Sequence, residues 1–442
     1  MNIRLKTRSS RIGVVLPHSH HKLTAAKPIE KLPLPEEVII PLSQHIGAPA
    51  RATVKRGDKV LTGQKIADSD RPVSAPIHAS LSGEVASISS LISPATGATI
   101  EAIVIKSDGE DKWVELTPTK DVSSLSNEDI LKKVREAGIV GMGGATFPTQ
   151  IKLMPPKEKP IDTIIINGSE CEPYITSDHR LMLEYGEEML KGADLVRKVL
   201  NPQTSFIAIE DNKEDAIRHL EELISKLNLP FQIVPLKSKY PMGAEKTLVK
   251  AILNKEVPIG GLPMDVGAVI QNVATCKAVY DAVYLGKPLI ERIVTVTGAV
   301  RDPKNLLVRF GTPLKNLIDY CGGKTTAGGE VIIGGPMMGI AQFDLAFPVT
   351  KGTNCVLVKE AQVFAERDCI NCGRCVEVCT MGLMPTLYPK LVKKGRYDEC
   401  KAAYVDNCVE CGACTYGCPA NIPIVQYIKV AKKELARRAQ KK

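Results

Sequence analysis

The sequence is poor in aromatic residues and has no basic stripe along its body. Aromatic side chains make up 4% of the 442 residues, with a single tryptophan. The formal net charge is +9, yet residues 422–442 hold five Lys and two Arg against one Glu, which leaves only +3 for the remaining 421 residues. Nucleic-acid binding needs a clustered basic surface and aromatic platforms for base stacking. The composition therefore argues against a nucleic-acid partner.

Long apolar runs are also missing. The N-terminal MNIRLKTRSS leads only into the short run IGVVLP, whereas a signal peptide needs about 7–15 apolar residues. The longest uncharged stretch, 411–428, contains three cysteines and two prolines, whereas a membrane span needs about 20 mostly apolar residues. We therefore expect a cytoplasmic chain, or one attached peripherally to a membrane. In a reducing compartment its thirteen cysteines are metal ligands more often than disulfides.

Eight of the thirteen cysteines form two groups with identical spacing. Each group follows the pattern C-x2-C-x2-C-x3-C, in CINCGRCVEVC and in CVECGACTYGC. Two-residue gaps let three thiolates surround one [4Fe–4S] cluster, and the fourth cysteine of such a run usually binds the other cluster. The predicted ligands of the first cluster are Cys369, Cys372, Cys375 and Cys418, and those of the second are Cys408, Cys411, Cys414 and Cys379.

A pair of structural zinc sites is the alternative interpretation of these cysteines. Zinc takes four ligands and has no use for a third closely spaced cysteine, so two [4Fe–4S] clusters are the preferred prediction. Pro419 follows the second group, as the ferredoxin pattern expects, whereas Thr380 follows the first. A lone cysteine is most often a small buried hydrophobe. The five single cysteines are Cys171, Cys276, Cys321, Cys355 and Cys400.

The rest of the chain predicts a multidomain α/β and α+β fold. Short β-rich runs and turns between 38 and 105 indicate a lipoyl-like barrel-sandwich hybrid, but the hairpin turn 68–72 lacks the lysine to which such carriers attach a cofactor. Helices and strands alternate from Ser126, which is typical of a largely parallel sheet. Short strands around the helix PLKNLIDYC indicate a β-grasp, SLBB-like module. The predicted domains are 1–118, 119–288, 289–358 and the two-cluster ferredoxin-like helical domain 359–442.

Two small motifs and the terminal helix admit more than one interpretation. Thr96 lies in a Thr-Gly-Ala-Thr sequence that looks like a covalent flavin acceptor, but a turn between strands is the preferred interpretation. The three histidines within 18–21 suggest metal binding, and we favour a solvated loop. The C-terminal helix has an apolar stripe beside basic residues, so it either contacts an anionic membrane or partner, or packs on its own domain.

Two polar segments of the central domain are candidates for a ligand site. The loop GMGGATFP, from Gly141 to Pro148, follows a helix and lets backbone N–H groups approach a flat ring or a phosphate. It is not a Rossmann fingerprint, because Thr146 occupies the third glycine position. The segment NGSECEP begins at Asn167, at the carboxyl end of the predicted strand DTIIIN, where open α/β sheets bind ligands. A polar turn without a ligand is the alternative.

Four segments together carry a family resemblance. GMGGATFPTQIKL, NGSECEPYITSD, YPMGAEKTL and VIQNVATC occur in this order, before the β-grasp module and the cluster cysteines. They resemble the flavin-binding subunit of respiratory complex I. With the KLTAAKPIE stretch, the sandwich domain and the paired ferredoxin motifs, nearly the whole chain resembles still more closely the RnfC family of the Rnf electron-transport complexes.

The resemblance implies noncovalently bound FMN, with NADH or NAD+ as the substrate. It assigns catalytic roles to Lys152, Glu172 and Glu245. The residues that it assigns to cofactor binding are Gly141, Gly143, Gly144, Asn167, Ser169, Glu170, Tyr240, Asn272 and Thr275. Two departures from the complex I pattern bear on flavin potential or nucleotide affinity: Met142 replaces a loop arginine, and Ser169 replaces an acidic residue.

The function that the resemblance implies is electron input to an ion-translocating ferredoxin:NAD+ oxidoreductase. A flavin converts the two-electron chemistry of NADH into the single-electron steps of iron–sulfur clusters. The expected partners are the other subunits of the membrane complex, notably the iron–sulfur protein RnfB, with ferredoxin reached indirectly, at the cytoplasmic face of the cell membrane. Two alternatives are a soluble flavin and iron–sulfur cobalamin reductase of a microcompartment, and a flavin-free iron–sulfur relay.

Overall fold

The computed structural model describes residues 7–9, 13–16, 22–94, 96–360, 362 and 364–440. The histidines at 18, 20 and 21, for which a solvated loop is predicted, lie outside these described residues. Among the described residues, no helix combines the length and apolar character needed to cross a membrane. The thirteen cysteines are all free of disulfides. The chain folds into α/β and α+β units in the predicted order.

The first unit is an antiparallel β-sandwich. The strands of this part of the chain are β1 (Ile29–Lys31), β2 (Glu37–Pro41), β3 (Arg51–Ala52), β4 (Lys59–Val60), β5 (Lys65–Asp68), β6 (Ile77–His78), β7 (Gly83–Ile92) and β8 (Thr99–Ser107). Sheets of order β2-β8-β7-β4 and β3-β5-β6 form the sandwich. Its core includes Ile40, Ile66 and Ile103, each fully buried. Alternation of apolar residues along short strands produces this two-sheet packing.

Two turns of the sandwich bear on the sequence predictions. At the end of β5, Asp68 accepts a hydrogen bond at 2.7 Å from Arg135 of the next domain, which links this hairpin to that domain. In the turn between β7 and β8, the Ala98 N–H donates to Thr96 Oγ1 at 3.2 Å. Thr96 thus stabilises its own turn, the ordinary role of threonine in such a sequence.

The second unit is a parallel sheet covered by helices. Its elements are α1 (Asn127–Glu136), α2 (Thr149–Lys152), β9 (Thr163–Asn167), α3 (Ser177–Glu184), α4 (Gly186–Leu200), β10 (Thr204–Glu210), α5 (Glu214–Leu227), β11 (Gln232–Leu236), α6 (Glu245–Leu253), a 3-10 turn (Pro263–Val266), β12 (Ala268–Asn272) and α7 (Val273–Tyr284). The strand order is β11-β10-β9-β12. Ile164 and Ile165 of β9 belong to separate cores on the two faces of the sheet. A strand buried on both faces needs this continuous apolar run.

The third unit is a six-stranded mixed sheet. It contains β13 (Glu291–Gly298), β14 (Lys304–Arg309), α8 (Leu314–Tyr320), β15 (Glu330–Ile333), β16 (Ile340–Gln342) and β17 (Cys355–Lys359). Its order is β1-β14-β13-β17-β15-β16, so the N-terminal strand β1 crosses the molecule and pairs in parallel with β14. This strand is not among the sequence predictions, because a three-residue edge strand carries no periodicity.

The fourth unit is helical and contains both cysteine groups. Its helices are α9 (Arg374–Glu377), α10 (Leu387–Val392), α11 (Tyr397–Ala402), a 3-10 turn (Val405–Asn407), α12 (Ala413–Tyr416) and α13 (Ile424–Ala439). The apolar stripe of α13 is buried against this domain, with Ile428 and Ala431 fully inaccessible. Lys432 beside the stripe donates to the carbonyl of Cys408 at 2.6 Å. The stripe therefore packs on its own domain and is not presented to a membrane.

A buried lysine joins three of these units. Lys351, 1% exposed, follows β16, and its Nζ donates to the carbonyls of Pro76 at 2.9 Å and Gly138 at 2.7 Å. Burial lowers the pKa of Lys351 to about 7, and the charge of Arg135 lowers it further. Neutral carbonyls alone do not offset the cost of burying an ammonium group.

Replacement of this lysine tests its titration. Between the folded-state pKa of about 7 and the unfolded-state value of 10.5, the unfolded chain holds the additional proton. The contribution of Lys351 to the free energy of unfolding therefore increases with pH across this window, by up to about 1.4 kcal/mol per pH unit. We predict that the free energy of urea unfolding of the wild type increases, relative to that of Lys351→Met, between about pH 7.5 and about pH 9.5. A difference independent of pH contradicts the assignment.

Candidate functional site

Two asparagines meet at the carboxyl edge of the parallel sheet. Asn167 ends β9 and Asn272 ends β12, and the two residues are direct partners in the parallel register. Asn167 Nδ2 donates to the Gly243 carbonyl at 2.9 Å, and Asn272 Oδ1 accepts from the Ala274 N–H at 2.9 Å, capping α7. Asn272 Nδ2 donates to Asp178 Oδ2 at 2.7 Å. The edge that the sequence predicts as a ligand site is thus lined by amides in fixed orientations.

The glycine loop lies against this edge. The Gly141 N–H donates to the Phe147 carbonyl at 2.8 Å, which closes the loop, and Gly143 and Gly144 are exposed. A Cβ added at Gly143 would stand 3.4 Å from Asn272 Cβ, whereas one at Gly144 would meet nothing within 4 Å. Gly144 has φ +121°, a conformation that favours glycine. The loop presents bare backbone beside Asn272, and a flat ring fits such a surface.

Two hydrogen bonds of the Met142 backbone anchor the same loop. Its N–H donates to Thr275 Oγ1 at 2.8 Å, and its carbonyl accepts from Arg292 at 3.1 Å. Thr275 is fully buried, so its hydroxyl positions the loop backbone. Met142, itself 4% exposed, replaces the arginine of the complex I pattern with an apolar side chain, and the buried Arg292 supplies a cation under the loop.

Glu170, the first carboxylate of the loop after β9, binds backbone N–H groups of the protein itself. The Glu170 carboxylate accepts hydrogen bonds from the Asp178 N–H at 2.7 Å and the His179 N–H at 3.2 Å. It therefore caps the N-terminus of α3, where a negative charge is favourable. Ser169 Oγ is buried and, among the described residues, has no hydrogen-bond partner. This unpaired buried hydroxyl, on a residue that packs against Gly243, is a fitting donor for a polar group of FMN.

Two lysines hold the carbonyls of this loop. Lys22 Nζ donates to the carbonyls of Glu170 and Glu172 at 3.0 Å each and to that of Ile175 at 2.5 Å. Lys213 Nζ donates to the Ser169 carbonyl at 2.6 Å. Burial lowers the pKa of Lys22, and the charge of Lys213 lowers it further. Neither lysine is among the predicted site residues, because each acts on backbone atoms far away along the chain.

Glu172 connects the second unit, which contains the glycine loop and is called the glycine-loop domain below, with the mixed sheet. Its carboxylate accepts from the Met337 N–H at 3.2 Å and the Met338 N–H at 2.8 Å. A Cβ at Gly335 would collide with this carboxylate at 2.2 Å, so the loop 334–339 wraps closely around it. Burial raises the pKa of Glu172 to about 7, although the two N–H donors lower it. Near pH 7 the Glu172 carboxyl group, at the edge of the site, is therefore present in both its protonated and its ionised form.

The other two residues with predicted catalytic roles form an ion pair with each other. Lys152 Nζ, at the end of α2, lies 2.5 Å from Glu245 Oε1, at the start of α6. Their side chains are 24% and 43% exposed, so the pair is open to solvent and to a ligand.

Asp178 is a further buried carboxyl group, outside the set of residues predicted from the sequence. Burial raises its pKa to about 7, the charge of Glu170 raises it further, and the hydrogen bond from Asn272 lowers it. Asp178 fixes the orientation of Asn272.

The cysteines pair across the two groups. A cavity in the helical domain is lined by the four thiols Cys379, Cys408, Cys411 and Cys414. The remaining four are also brought together. The Arg367 N–H, two residues before Cys369, donates to the Ala420 carbonyl, two residues after Cys418, at 2.9 Å. These are the crossed sets that the sequence predicts. We name them the inner thiol group (Cys379, Cys408, Cys411, Cys414) and the outer thiol group (Cys369, Cys372, Cys375, Cys418).

The arrangement fits clusters better than single ions. Within the described part of the chain, no three His, Cys, Asp or Glu side chains are placed to hold one metal ion directly. A zinc ion would need sulfur atoms at about 2.3 Å. The inner cavity is otherwise lined by apolar groups such as Leu383, Val425 and Ile428, which suit a bulky iron–sulfur cluster. The five single cysteines are outside both groups, and burial raises the pKa of Cys171 to about 12.

Tyr240, which the family resemblance assigns to the candidate flavin site, contacts the inner thiol group directly. Its hydroxyl donates to the Cys411 carbonyl at 2.6 Å, and its side chain is 2% exposed. Gly412, which follows Cys411, packs on the loop that binds Glu172. A Cβ added at Gly412 would stand 2.6 Å from the Met337 carbonyl oxygen. The glycine-loop domain, the mixed sheet and the inner thiol group therefore share one contact region.

The fold and the site together define a flavin and iron–sulfur protein of the electron-transfer class. Four family models match the chain in order: the RnfC barrel sandwich hybrid domain at 9–110, the Nuo51 FMN-binding domain at 134–281, the SLBB domain at 293–341 and the 4Fe-4S dicluster domain at 364–422. The matches confirm the predicted fold class and the predicted cofactors, FMN and two [4Fe–4S] clusters.

Relatives in two ion-translocating complexes make the family clear. The chain is 48% identical to the component designated C of the proton-translocating ferredoxin:NAD(+) oxidoreductase complex of Clostridium ljungdahlii, over 89% of this chain and 86% of the relative. It is 40% identical to the Na(+)-translocating counterpart of Acetobacterium woodii, over 88% and 89%. The chain belongs to the RnfC family of ion-translocating oxidoreductase complexes.

A solved structure shares the fold at low identity. It is the crystal structure of an NAD+-reducing [NiFe]-hydrogenase in the H2-reduced state, 19% identical, with a TM-score of 0.50 over 69% of this chain and 63% of that chain.

Substitution of Lys22 tests its hold on the loop after β9. Lys22→Met removes one ammonium group from three carbonyls, and we expect FMN to bind about tenfold more weakly, equivalent to about 1.4 kcal/mol. Fluorescence quenching of FMN on titration with the protein measures this affinity. Lys27→Met is the matched control, because Lys27 pairs with Asp302 at the exposed surface. Equal FMN affinity in both variants contradicts a positioning role for Lys22.

Proposed function

We propose that this chain is the NADH-oxidising or NAD+-reducing electron-input component of a membrane-associated, ion-translocating ferredoxin:NAD+ oxidoreductase. The observation that carries the proposal is the hydrogen bond from the Tyr240 hydroxyl to the Cys411 carbonyl. It brings the candidate flavin site into contact with the inner thiol group. The relatives with this name match the chain over nearly its full length, which supports the same activity here.

The division of labour among the residues follows from the geometry. FMN, when bound, accepts electrons in pairs from NADH and releases them singly. Gly143 and Gly144 give it an open backbone surface, and Asn167 and Asn272 offer amides at the sheet edge. Glu172, with a pKa raised by burial to about 7, holds the loop 334–339 at the entrance of the site.

The pair Lys152–Glu245 supplies a cation and a carboxylate within the same site region. Because both side chains are partly exposed, each can exchange its partner for a polar group of the nucleotide. Their role is to bind and orient the substrate, since a hydride transfer needs alignment and no general base.

The outer thiol group is suited to serve a partner. Cys372 is exposed, and Ile370, two residues before it, is 69% exposed. An exposed apolar side chain beside an exposed thiol favours a protein contact. We propose that electrons leave the chain here, toward other subunits of the complex, notably the iron–sulfur protein RnfB, and from there toward ferredoxin. The chain would then attach peripherally at the cytoplasmic face of the membrane.

The two alternative functions have less support. A soluble cobalamin reductase would share the scaffold, but the relatives found are subunits of ion-translocating complexes. A flavin-free relay is at odds with the match to an FMN-binding domain over 134–281.

Reconstitution of the full chain with FMN, iron and sulfide tests the proposal. We predict that NADH reduces both clusters in the reconstituted protein, observed by electron paramagnetic resonance. In Glu172→Gln one N–H donor of the loop 334–339 faces an amide NH2 group, and the negative charge is lost. NADH turnover should fall by about tenfold, which corresponds to about 1.4 kcal/mol of transition-state stabilisation.

The outcome is decided by cofactor content and turnover together. Glu187→Gln is the control, because Glu187 forms a surface pair with Lys191 on α4. Both variants should retain FMN, iron and sulfide at wild-type levels. Undiminished turnover in Glu172→Gln counts against its role in the site, and a wild-type chain that fills its clusters but retains no FMN supports the relay.

A further inference from the structure

Thr380 is an exception within the cysteine motifs. It directly follows Cys379, whereas the matching position after Cys418 is Pro419. Proline has no hydroxyl and no N–H, so the second motif offers no donor at this point. Thr380 Oγ1, by contrast, is a buried hydroxyl that forms no hydrogen bond of good geometry among the described residues.

The hydroxyl lies on the wall of the inner cavity. Thr380 lines the cavity together with the thiols of the inner thiol group, and its other neighbours there are apolar residues and backbone. Of the side chains that line this cavity, all of them within the described residues, Thr380 alone bears a hydroxyl. Leaving a buried donor unpaired costs about 1–3 kcal/mol, so an acceptor is expected where the hydroxyl points.

The sulfur atoms are the acceptors within reach. Cys411 lines the inner cavity together with Thr380. Cys411 is also the residue whose carbonyl receives the Tyr240 hydrogen bond. Thr380 therefore faces the inner thiol that belongs to the contact with the candidate flavin site.

We propose that Thr380 donates a hydrogen bond to a sulfur atom of the inner [4Fe–4S] cluster and thereby raises its reduction potential above that of a cluster without this donor. The inference rests on the proposed function, because it requires the inner thiol group to hold a cluster. The reaction affected is the one-electron reduction of that cluster, and the threonine keeps its proton. Reduction adds one negative charge, and a hydrogen bond to sulfur stabilises the more negative state more strongly.

A redox titration of the reconstituted full chain, followed by electron paramagnetic resonance, tests this role. Thr380→Val keeps the shape of the side chain and removes the donor. We expect one of the two one-electron waves to move to a more negative potential; a tenfold weaker reduction equilibrium corresponds to about 59 mV. Thr380→Ser retains a hydroxyl and should titrate like the wild type. Thr380→Ala should move the same wave in the same direction as Thr380→Val, even if the valine variant assembles poorly.

Thr386→Val is the matched control in the same domain. Thr386 Oγ1 lies 3.7 Å from Cys369 Sγ of the outer thiol group, so this substitution should leave the Thr380-dependent wave in place. If the donor-free variants fill both clusters and both waves coincide with those of the wild type, the inference is overturned. If Thr380→Val and Thr386→Val move the same wave, it is likewise overturned. A wild-type chain that cannot hold two clusters contradicts the proposed function itself, and the inference with it.

Discussion

The hydrogen bond between the Tyr240 hydroxyl and the Cys411 carbonyl is the interaction on which the rest of the site depends. It joins residues 171 positions apart in the sequence and is partly buried. Burial holds the pKa of Tyr240 far above its usual range, so the phenol stays protonated and remains a donor. The backbone of a predicted cluster ligand is hydrogen-bonded to a residue of the candidate flavin site. This contact fixes the position of the inner thiol group relative to that site.

The site itself is assembled from distant parts of the chain. Lys22 comes from the N-terminal segment and Met337 from the mixed sheet, yet both bind the loop after β9. The strand β1 that follows Lys22 is fixed in the same mixed sheet. No single unit contains the whole site, so the units that contribute to it must pack together before the loop takes its final position. Buried ammonium groups on backbone carbonyls give this loop rigidity without a regular secondary structure.

Part of this architecture could be predicted from the sequence, for physical reasons. The crossed thiol sets could be predicted from the C-x2-C-x2-C-x3-C spacing, because short gaps confine three cysteines to one corner and the fourth cysteine of such a run usually binds the other cluster. Asn167 could be placed at the sheet edge because a run of buried isoleucines must end where polar residues begin. The internal capping role of Glu170, the partners of Glu172 and the contacts of Lys22 could not be predicted. They depend on pairings between residues far apart in sequence, which leave no periodic pattern.

The most direct test of the coupling between the two redox regions is rapid mixing of reconstituted Tyr240→Phe with NADH. Flavin reduction is followed by absorbance and cluster reduction by freeze-quenched electron paramagnetic resonance. We expect flavin reduction to keep its wild-type rate and cluster reduction to slow, because only the contact with Cys411 is lost. Unchanged cluster reduction, or an equal slowing of both steps, would contradict the claim that Tyr240 couples the candidate flavin site to the inner thiol group.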